Sequence, residues 1–199
     1  MKKILPYISG LLFSIIFGFS FMFTKEALEI VNPFQLIGYR FLTAGLLVNI
    51  LWLVGVFKIK VSIKKMKFLL LVTLAQPVFY FIFETVGMNY TTSSEAGLLV
   101  SLIPVVVTIL AIFFLNEKPS LKQSIFIASS VSGVAFITIM KGTTEISGNF
   151  LGMALIGGAV LMAGIYNILS RKISVDFRPE VITYFMMTVC AVVFYTILL

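Results

Sequence analysis

The stretch that decides the fold is residues 91–120, TTSSEAGLLVSLIPVVVTILAIFFLNEKPS. Polar residues 91–95 lead into the apolar or small residues 96–115, and Asn116 ends the run. About 20 residues at 1.5 Å each span the hydrocarbon core of a bilayer. Pro104 lies inside the run, and membrane helices tolerate proline because neighbouring groups satisfy the freed carbonyl. We predict a membrane helix that bends at Pro104, which is a candidate hinge.

The composition extends this prediction to the whole chain. Of the 199 residues, 60% are hydrophobic and 12% are charged, and the mean hydropathy is +1.11. Soluble domains have about 25% charged residues, so this chain has too few to cover a surface in water. We predict an all-α, polytopic helical membrane protein in contact with the lipid bilayer.

Apolar segments separated by short polar loops indicate seven membrane spans. They are residues 5–23, 34–56, 68–86, 96–115, 121–140, 150–170 and 180–199. The fifth is the least apolar because it contains several serines, whose hydroxyls bond back to their own helix. The run after Met1 is too long for the apolar region of a secretory signal, so we predict an uncleaved first span.

Several function classes are excluded by residue types. The chain has no histidine and one cysteine, so the commonest metal ligand and general base are missing. It has neither a phosphate-binding glycine loop nor a nucleophile with a base. We expect no enzyme activity, no metal, no cofactor and no ATP-driven motor within this chain.

The basic residues predict the orientation. With the N-terminus in the cytoplasm, twelve of the fifteen Lys and Arg lie inside, as the positive-inside rule requires. These are Lys2, Lys3, Lys58, Lys60, Lys64, Lys65, Lys67, Lys118, Lys122, Arg171, Lys172 and Arg178. We expect a multi-pass protein of the plasma membrane with a cytoplasmic N-terminus. The net charge of +7 orients helices and does not indicate nucleic acid.

An internal repeat occurs at an offset of 146 residues. The matching pairs are Gly18 with Gly164, Lys25 with Arg171, and Pro33 with Pro179. Five spans separate the copies, and an odd number inverts the second copy. Inverted repeats are typical of secondary transporters, whose substrate site lies near the midplane. We divide the chain into a first five-helix repeat, residues 1–141, and the start of an incomplete second repeat, residues 142–199.

Three motifs resemble the EamA family of the drug/metabolite transporter superfamily. They are NPFQLIGYR at residues 32–40, the small-residue run at 90–104, and NEK at 116–118. The resemblance implies ten spans in two inverted five-span repeats, with both termini cytoplasmic. It implies transport of small metabolites such as amino acids and nucleobase compounds. Met186 stands where Arg40 would repeat, and the last three of the ten spans are absent.

The resulting functional hypothesis is a secondary transporter of small organic metabolites that works by alternating access. The alternative is a truncated or accessory membrane protein without independent transport, or a fragment of a longer reading frame. The expected partners are a small-molecule metabolite and the lipid bilayer. A homo-oligomer or the missing C-terminal helices would complete the bundle.

Arg40 is the first candidate substrate-binding residue. It lies seven residues into its span, about 10 Å deep at 1.5 Å per residue. An ionisable group at that depth costs free energy unless it is paired or hydrated. Such a group is therefore first considered as part of a functional site. We predict an electrostatic contact for an anionic or zwitterionic substrate. The alternative is a structural arginine that pairs with Glu84.

The third span contains a polar stripe. Thr73, Gln76, Tyr80 and Glu84 follow at i, i+3, i+7 and i+11, which places them on one helical face. We predict that Gln76, Tyr80 and Glu84 bind substrate in a cavity, with hydrogen bonding between helices as the alternative. Pro77 loosens the helix near the midplane and is a second candidate hinge.

Small residues recur at helical spacing along two spans. They are Gly10, Ser14 and Gly18 on the first, and Gly97, Ser101, Pro104 and Thr108 on the fourth. This spacing favours close helix packing. Ser101, and Asn167 in the sixth span, are also candidate substrate contacts.

Two acidic residues border the fourth span. Glu95 lies at the start of this span, where a carboxylate interacts favourably with the helix N-terminus, so we predict that Glu95 caps the helix. The resemblance marks Glu117, together with Pro33, as part of a structural signature. We expect Glu117 to hold a basic loop residue or the end of the fifth helix.

Overall fold

The computed structural model describes residues 4–56, 66–145 and 150–198. The helices are α1 Leu5–Ala27, α2 Pro33–Leu53, α3 Met66–Thr73, α4 Tyr80–Asn89, α5 Ser93–Val100, α6 Ile103–Leu115, α7 Leu121–Glu145, α8 Phe150–Ile173 and α9 Pro179–Leu198. A π-helical segment, Leu74–Phe79, joins α3 to α4. These residues include no strand, so the predicted all-α fold class is confirmed.

Six helical segments are long and apolar enough to cross a membrane. They are Tyr7–Ala27, Pro33–Leu53, Met66–Asn89, Ser93–Leu115, Phe150–Ile173 and Pro179–Leu198. They correspond to six of the seven predicted spans. The fifth prediction falls on α7, whose shorter apolar part is Leu121–Ile137, so a seventh crossing stays a prediction. Lys2, Lys3, Lys58, Lys60, Lys64 and Lys65 lie outside the described residues.

Capping interactions fix where two helices begin. Before α2, the Asn32 side chain accepts from the Gln35 backbone N–H at 2.9 Å, and Gln35 accepts from the Asn32 N–H at 3.2 Å. Pro33 occupies the first turn, where a missing N–H costs nothing. Before α5, Thr92 and Glu95 make the same reciprocal pair, which satisfies otherwise orphaned donors. The predicted cap at Glu95 is confirmed.

Two of the membrane spans are interrupted near their middle. Between α3 and α4, the backbone of Gln76 is extended, with φ −146° and ψ 126°. Between α5 and α6, the helix ends at Val100 and a new helix begins at Ile103, with Pro104 in its first turn. The interruptions predicted at Pro77 and Pro104 are thus present, and their use as hinges stays a prediction.

Helix α8 is the centre of the bundle and packs against α4, α5 and α6. Its glycines allow close approach: a Cβ added at Gly152 would lie 3.0 Å from the carbonyl oxygen of Gly87, and one added at Gly164 would lie 2.7 Å from Val106. Ala159 and Ala163 are buried on the same helix. The small residues of α8 therefore form a contact face for its neighbouring helices.

Helices α2 and α9 form the other large contact and run antiparallel. Near one end of the pair Gly38 packs against Leu198. Near the other end, the Trp52 and Tyr184 rings are 5.9 Å apart. Because the early residues of α2 meet the late residues of α9, the two helices point in opposite directions.

The contacts between α2 and α9 are symmetric under the 146-residue offset, because the offset maps one observed contact onto another. Moving Gly38 forward by 146 positions gives Tyr184, and moving Leu198 back by 146 gives Trp52, which is the second observed contact. Gly45 contacts Ala191, and these two positions are themselves 146 apart. The offset thus exchanges the two helices as a two-fold axis that passes between Gly45 and Ala191 would.

Helix bounds follow the same offset. The bounds of α1 shifted by 146 residues are 151–173, and α8 is observed at Phe150–Ile173. The bounds of α2 shifted in the same way are 179–199, and α9 is observed at Pro179–Leu198. Helix α7 continues past residue 141 to Glu145. The division into repeats of residues 1–141 and 142–199 stays a prediction, which these bounds support.

The packing role predicted for the small residues of the first and fourth spans is wrong at three glycines. A Cβ built on Gly10, Gly18 or Gly97 meets no described atom within 4 Å. The spacing of small residues is the same whether a helix face packs closely or borders open space, so the pattern does not distinguish the two.

We predict that Gly45→Ala destabilises the protein. The added Cβ would lie 2.5 Å from Ala191 Cβ and 3.3 Å from the Met187 carbonyl oxygen, so α2 and α9 would have to separate. Gly133→Ala on α7 meets open space and gains helix propensity of about 1 kcal/mol. Heating the detergent-purified protein while recording helical circular dichroism should show a lower midpoint for Gly45→Ala and an equal or higher one for Gly133→Ala. Equal midpoints for wild type and Gly45→Ala would contradict the contact.

Candidate functional site

A cavity of about 810 Å³ lies between four of the membrane spans. It is lined by Ser14, Phe17, Gly18 and Phe21 of α1, Gln76 and Tyr80 at the first break, Gly97, Val100, Ser101, Ile103 and Pro104 at the second, and Ala163, Tyr166 and Asn167 of α8. The volume is within the range of small-molecule sites. Most of the lining residues lie near the middle of their spans, so the cavity is at mid-depth.

The polar side chains of the cavity differ in their hydrogen-bond partners. Asn167 Nδ2 donates to the Ala163 carbonyl at 2.8 Å, and Ser101 Oγ donates to the Leu98 carbonyl at 2.6 Å. The Tyr80 hydroxyl is buried beside the Glu84 carboxyl group of the same helix, so it is the ring of Tyr80 that the cavity presents to a ligand.

The two breaks place backbone groups at the cavity. Pro77 and Pro104 have no N–H, so each removes one helical hydrogen bond. The Val105 and Val106 amides both donate to the Leu102 carbonyl, and the Tyr80 amide donates back to Ala75. Each proline therefore leaves one backbone carbonyl without its helical donor.

One end of the cavity is closed by an apolar cluster. We name this the Lys25 end, because Lys25 lies there at the end of α1. The cluster contains Phe21, Met88, Ala96, Val100, Ile156 and Val160. Lys25 Nζ also donates to the Met88 carbonyl at 2.8 Å, which fixes α1 to the C-terminal end of α4. These contacts seal the space between α1, α4, α5 and α8.

The opposite end, named the Arg171 end, is arranged differently. Every side chain that the structure describes between residues 4 and 16 is exposed, and packing of α1 against the apolar cluster begins at Phe17. Arg171 Nη1 lies 2.8 Å from Glu117 Oε2, with both side chains about half exposed. The pair joins the end of α8 to the residue after Asn116. The expectation that Glu117 holds a basic residue is met, by Arg171 of the sixth span.

Arg40 and Glu84 lie outside this cavity. Arg40 borders a separate groove between α1 and α2. Its guanidinium is 3.4 Å from both the Thr24 and Ser20 hydroxyls and 4.0 Å from Glu84 Oε2, and its Cζ is 4.9 Å from the centre of the Phe81 ring. The Glu84 side chain is 5% exposed and that of Arg40 31%. This is the geometry of the structural alternative, in which the two residues pair.

The structure brings together part of the predicted site. Gln76, Tyr80, Ser101, Pro104 and Asn167 line one cavity. The rest of the predicted residues lie elsewhere: Pro77 is buried at the first break, Arg40 borders the α1–α2 groove, and Glu84 is buried beside Arg40. Thr73, from the same polar stripe, is buried and donates to the Leu69 carbonyl. Substrate contact by any of these residues stays a prediction.

Several lining residues were missed by sequence reasoning. Ser14 and Gly18 were assigned to helix packing, and Phe17 and Phe21 gave no signal because apolar residues occur throughout this chain. Within the described ranges, no three or more His, Cys, Asp or Glu form a metal-binding group.

The fold and the cavity define a class of protein. Broken membrane helices that meet at a mid-depth cavity are the arrangement of secondary transporters. Residues 4–139 match the EamA-like transporter family, and the chain belongs to that family.

Curated relatives bear similar names. The uncharacterized transporter YcxC of Bacillus subtilis strain 168 is 35% identical over 193 residues, which cover 97% of this chain and 62% of YcxC. YetK of the same organism, also an uncharacterized transporter, is 32% identical over 180 residues, 87% of this chain and 54% of YetK. An uncharacterized transporter of Archaeoglobus fulgidus is 28% identical over 177 residues, covering 85% and 58%. The chain thus spans between 54% and 62% of the length of these relatives.

We predict that Arg40 stabilises the buried Glu84 carboxylate. Arg40→Met should lower the free energy of unfolding by about 2 kcal/mol, because the carboxylate loses its partner. Arg40→Met combined with Glu84→Gln should lose less, since no charge is then left alone. Arg178→Met, at an exposed position, is the control. Thermal midpoints in detergent measure the effect, and a double variant no more stable than Arg40→Met would show that the two residues are not coupled.

Proposed function

We propose that this protein is a secondary transporter of small organic metabolites that works by alternating access around the mid-depth cavity. The observation behind the proposal is that two separate spans break at that cavity, at Gln76 and at Ser101–Leu102. Irregular backbone at membrane depth occurs where it lines a cavity or is buried in protein. Discontinuous helices at the midplane form the substrate sites of known transporter folds.

The source of energy in this proposal is a gradient or an exchange of solutes. The sequence contains no phosphate-binding glycine loop, so no nucleotide-driven step is assigned to this chain. Transport then requires only that the cavity face each side of the membrane in turn.

We assign the main movement to α1. The bundle of α4, α6 and α8 is joined by glycine contacts and by the Glu117–Arg171 ion pair. Helix α1 is attached near its C-terminal end, by Phe21 and by the Lys25 bond to Met88. A helix that is packed from Phe17 to its C-terminal end and exposed before Phe17 can pivot at its attachment. Access to the cavity from the Arg171 end would be governed by the N-terminal half of α1.

The proposed location is the plasma membrane, with the Arg171 end in the cytoplasm. Described basic residues concentrate at that end, and the positive-inside rule places them inside. They are Lys67, Lys118, Lys122, Arg171, Lys172 and Arg178, against Lys25 and Lys141 at the opposite end. The N-terminus of α1 is at the same end as Lys118, so it too would be cytoplasmic.

We predict the outcome of labelling intact cells with a membrane-impermeant maleimide. Glu29→Cys, exposed between α1 and α2, should react, whereas Lys118→Cys, exposed after α6, should react only after the cells are opened. The wild-type chain is the background control, because its one cysteine, Cys190, is fully buried. The reverse labelling pattern would contradict the orientation.

Transport itself is tested with proteoliposomes that contain the full chain and are incubated with an isotope-labelled metabolite extract. We expect at least one small solute to accumulate above the level of protein-free vesicles, identified by mass spectrometry. Gln76→Leu and Asn167→Leu should each reduce its uptake by about tenfold, the equivalent of losing roughly 1.4 kcal/mol of binding. Ser124→Leu on the exposed face of α7 should leave uptake unchanged.

Two results would count against the proposal in different ways. Accumulation that is equal for wild type, Gln76→Leu and Asn167→Leu would show that the solute does not pass through this cavity. No accumulation of any solute would favour the alternative, an accessory membrane protein without transport of its own.

A further inference from the structure

We propose that the cavity selects uncharged solutes: molecules that combine an aromatic ring with N–H or O–H donors and that bear neither a carboxylate nor an ammonium group. This inference rests on the proposed function and names the chemical class of its substrate. It follows from the charge, the backbone groups and the ring faces of the cavity.

The cavity wall has no ionised side chain in the part of the chain that the structure describes. Its polar side chains are those of Ser14, Gln76, Tyr80, Ser101, Tyr166 and Asn167. An ionised carboxylate or ammonium group buried without a partner is strongly disfavoured. A zwitterion would bring two such groups into the same space.

The nearby charged pair does not supply the missing partner. The Arg40 guanidinium faces Thr24, Ser20 and Glu84 in the α1–α2 groove. Glu84 is buried beside it and does not line the cavity. Because the two charges oppose each other, neither is left to bind a charged solute.

A helix N-terminus is the other usual partner of an anion, since its first amides point outward. Helix α6 begins at the cavity, but Pro104 in its first turn has no N–H. The Ser101, Leu102, Val105 and Val106 amides all donate to nearby carbonyls. At the other break, Pro77 lacks an N–H and the Tyr80 amide is bonded to Ala75. Neither helix start presents the set of free amides that holds a carboxylate.

Several acceptors of the cavity have no donor. Pro104 cannot donate to the Val100 carbonyl, the residue four positions before it. Asn167 uses its amide N–H on Ala163, so its oxygen is available. Ser101 donates to Leu98, which leaves its oxygen able to accept. A solute with several N–H or O–H groups satisfies these acceptors, whereas a carboxylate has no hydrogen to donate to them.

Aromatic rings from three spans complete the site: Phe17 and Phe21 of α1, Tyr80 after the first break, and Tyr166 of α8. Apolar and aromatic walls with a few polar groups are typical of small-molecule sites, and ring pairs prefer stacked or edge-to-face contacts. The cavity is therefore suited to a flat ring with uncharged polar substituents.

Four ligands that share a phenyl ring test the charge rule: uncharged phenylacetamide, anionic phenylacetate, cationic phenethylamine and zwitterionic phenylalanine. Isothermal titration calorimetry with the full chain in detergent at pH 7 measures each Kd. We expect phenylacetamide to bind at least about tenfold tighter than each of the other three. Gln76→Leu should weaken phenylacetamide, and Ser124→Leu should not.

A gain-of-function variant tests the same rule independently of wild-type affinity. Ser101 is exposed to the cavity, so Ser101→Asp places a carboxylate there and should move the preference to phenethylamine by about tenfold or more. Ser101→Asn, of similar size and uncharged, should keep the wild-type preference. Circular dichroism confirms that both variants fold, and Gly97→Asp, on the same wall, replaces Ser101→Asp if it does not.

The inference is overturned if wild type binds a charged ligand as tightly as phenylacetamide, if phenylacetamide does not bind, or if the added carboxylate leaves the preference unchanged. A charged ligand whose binding is lost in Gln76→Leu would overturn the charge rule and leave the transporter proposal intact. The transporter proposal fails separately, when solute uptake by proteoliposomes is insensitive to Gln76→Leu and Asn167→Leu.

Discussion

Inside the hydrocarbon core of a bilayer, every backbone N–H and C=O must find a partner within the protein, because no water is present to bond to it. A continuous helix meets this requirement by itself, and a broken helix does not. This chain breaks two of its spans at mid-depth, at Gln76 and just before Pro104. The two breaks are compatible with a membrane because both face one cavity, where water or a solute can satisfy the exposed carbonyls. The position of the cavity is thus a consequence of the positions of the breaks.

The remaining packing keeps the two breaks at the same cavity. Helix α8 approaches α4 and α6 through Gly152 and Gly164, at distances that a larger residue would prevent. Between membrane helices there is little hydrophobic driving force, so association depends on close contact of this kind. On the other side of the bundle, α2 and α9 are antiparallel and exchange under the 146-residue offset. Because the interface is two-fold symmetric, α2 and α9 make equivalent contacts although they cross the membrane in opposite directions. An inverted repeat requires this equivalence.

Much of the fold could be predicted from the sequence, because each span is a run of apolar residues and each break is adjacent to a proline. Gln76, Tyr80 and Asn167 were identified because polar residues are rare within the spans. The rest needed three-dimensional contacts. Glycines at helical spacing pack closely against a neighbouring helix at Gly164 and border open space at Gly18. The sequence pattern is the same at both positions, so it does not predict which one packs. The bond from Lys25 to the Met88 carbonyl joins residues 63 positions apart, for which no local pattern exists.

The distribution of charge is the property that links stability to function in this chain. Lys25, Glu117 and Arg171 join helix ends near the membrane surfaces, where water screens them and the cost of desolvation is small. Arg40 and Glu84 are deeper, and they face each other with the Thr24 and Ser20 hydroxyls around them. Each ionised group is thereby neutralised away from the cavity. An ionised residue in a mid-depth substrate site would lose its partner whenever the site was empty, on whichever side of the membrane the site was open. The protein would have to tolerate that unpaired charge. A neutral wall avoids this requirement, since the loss of a neutral solute leaves only dipoles for water to solvate.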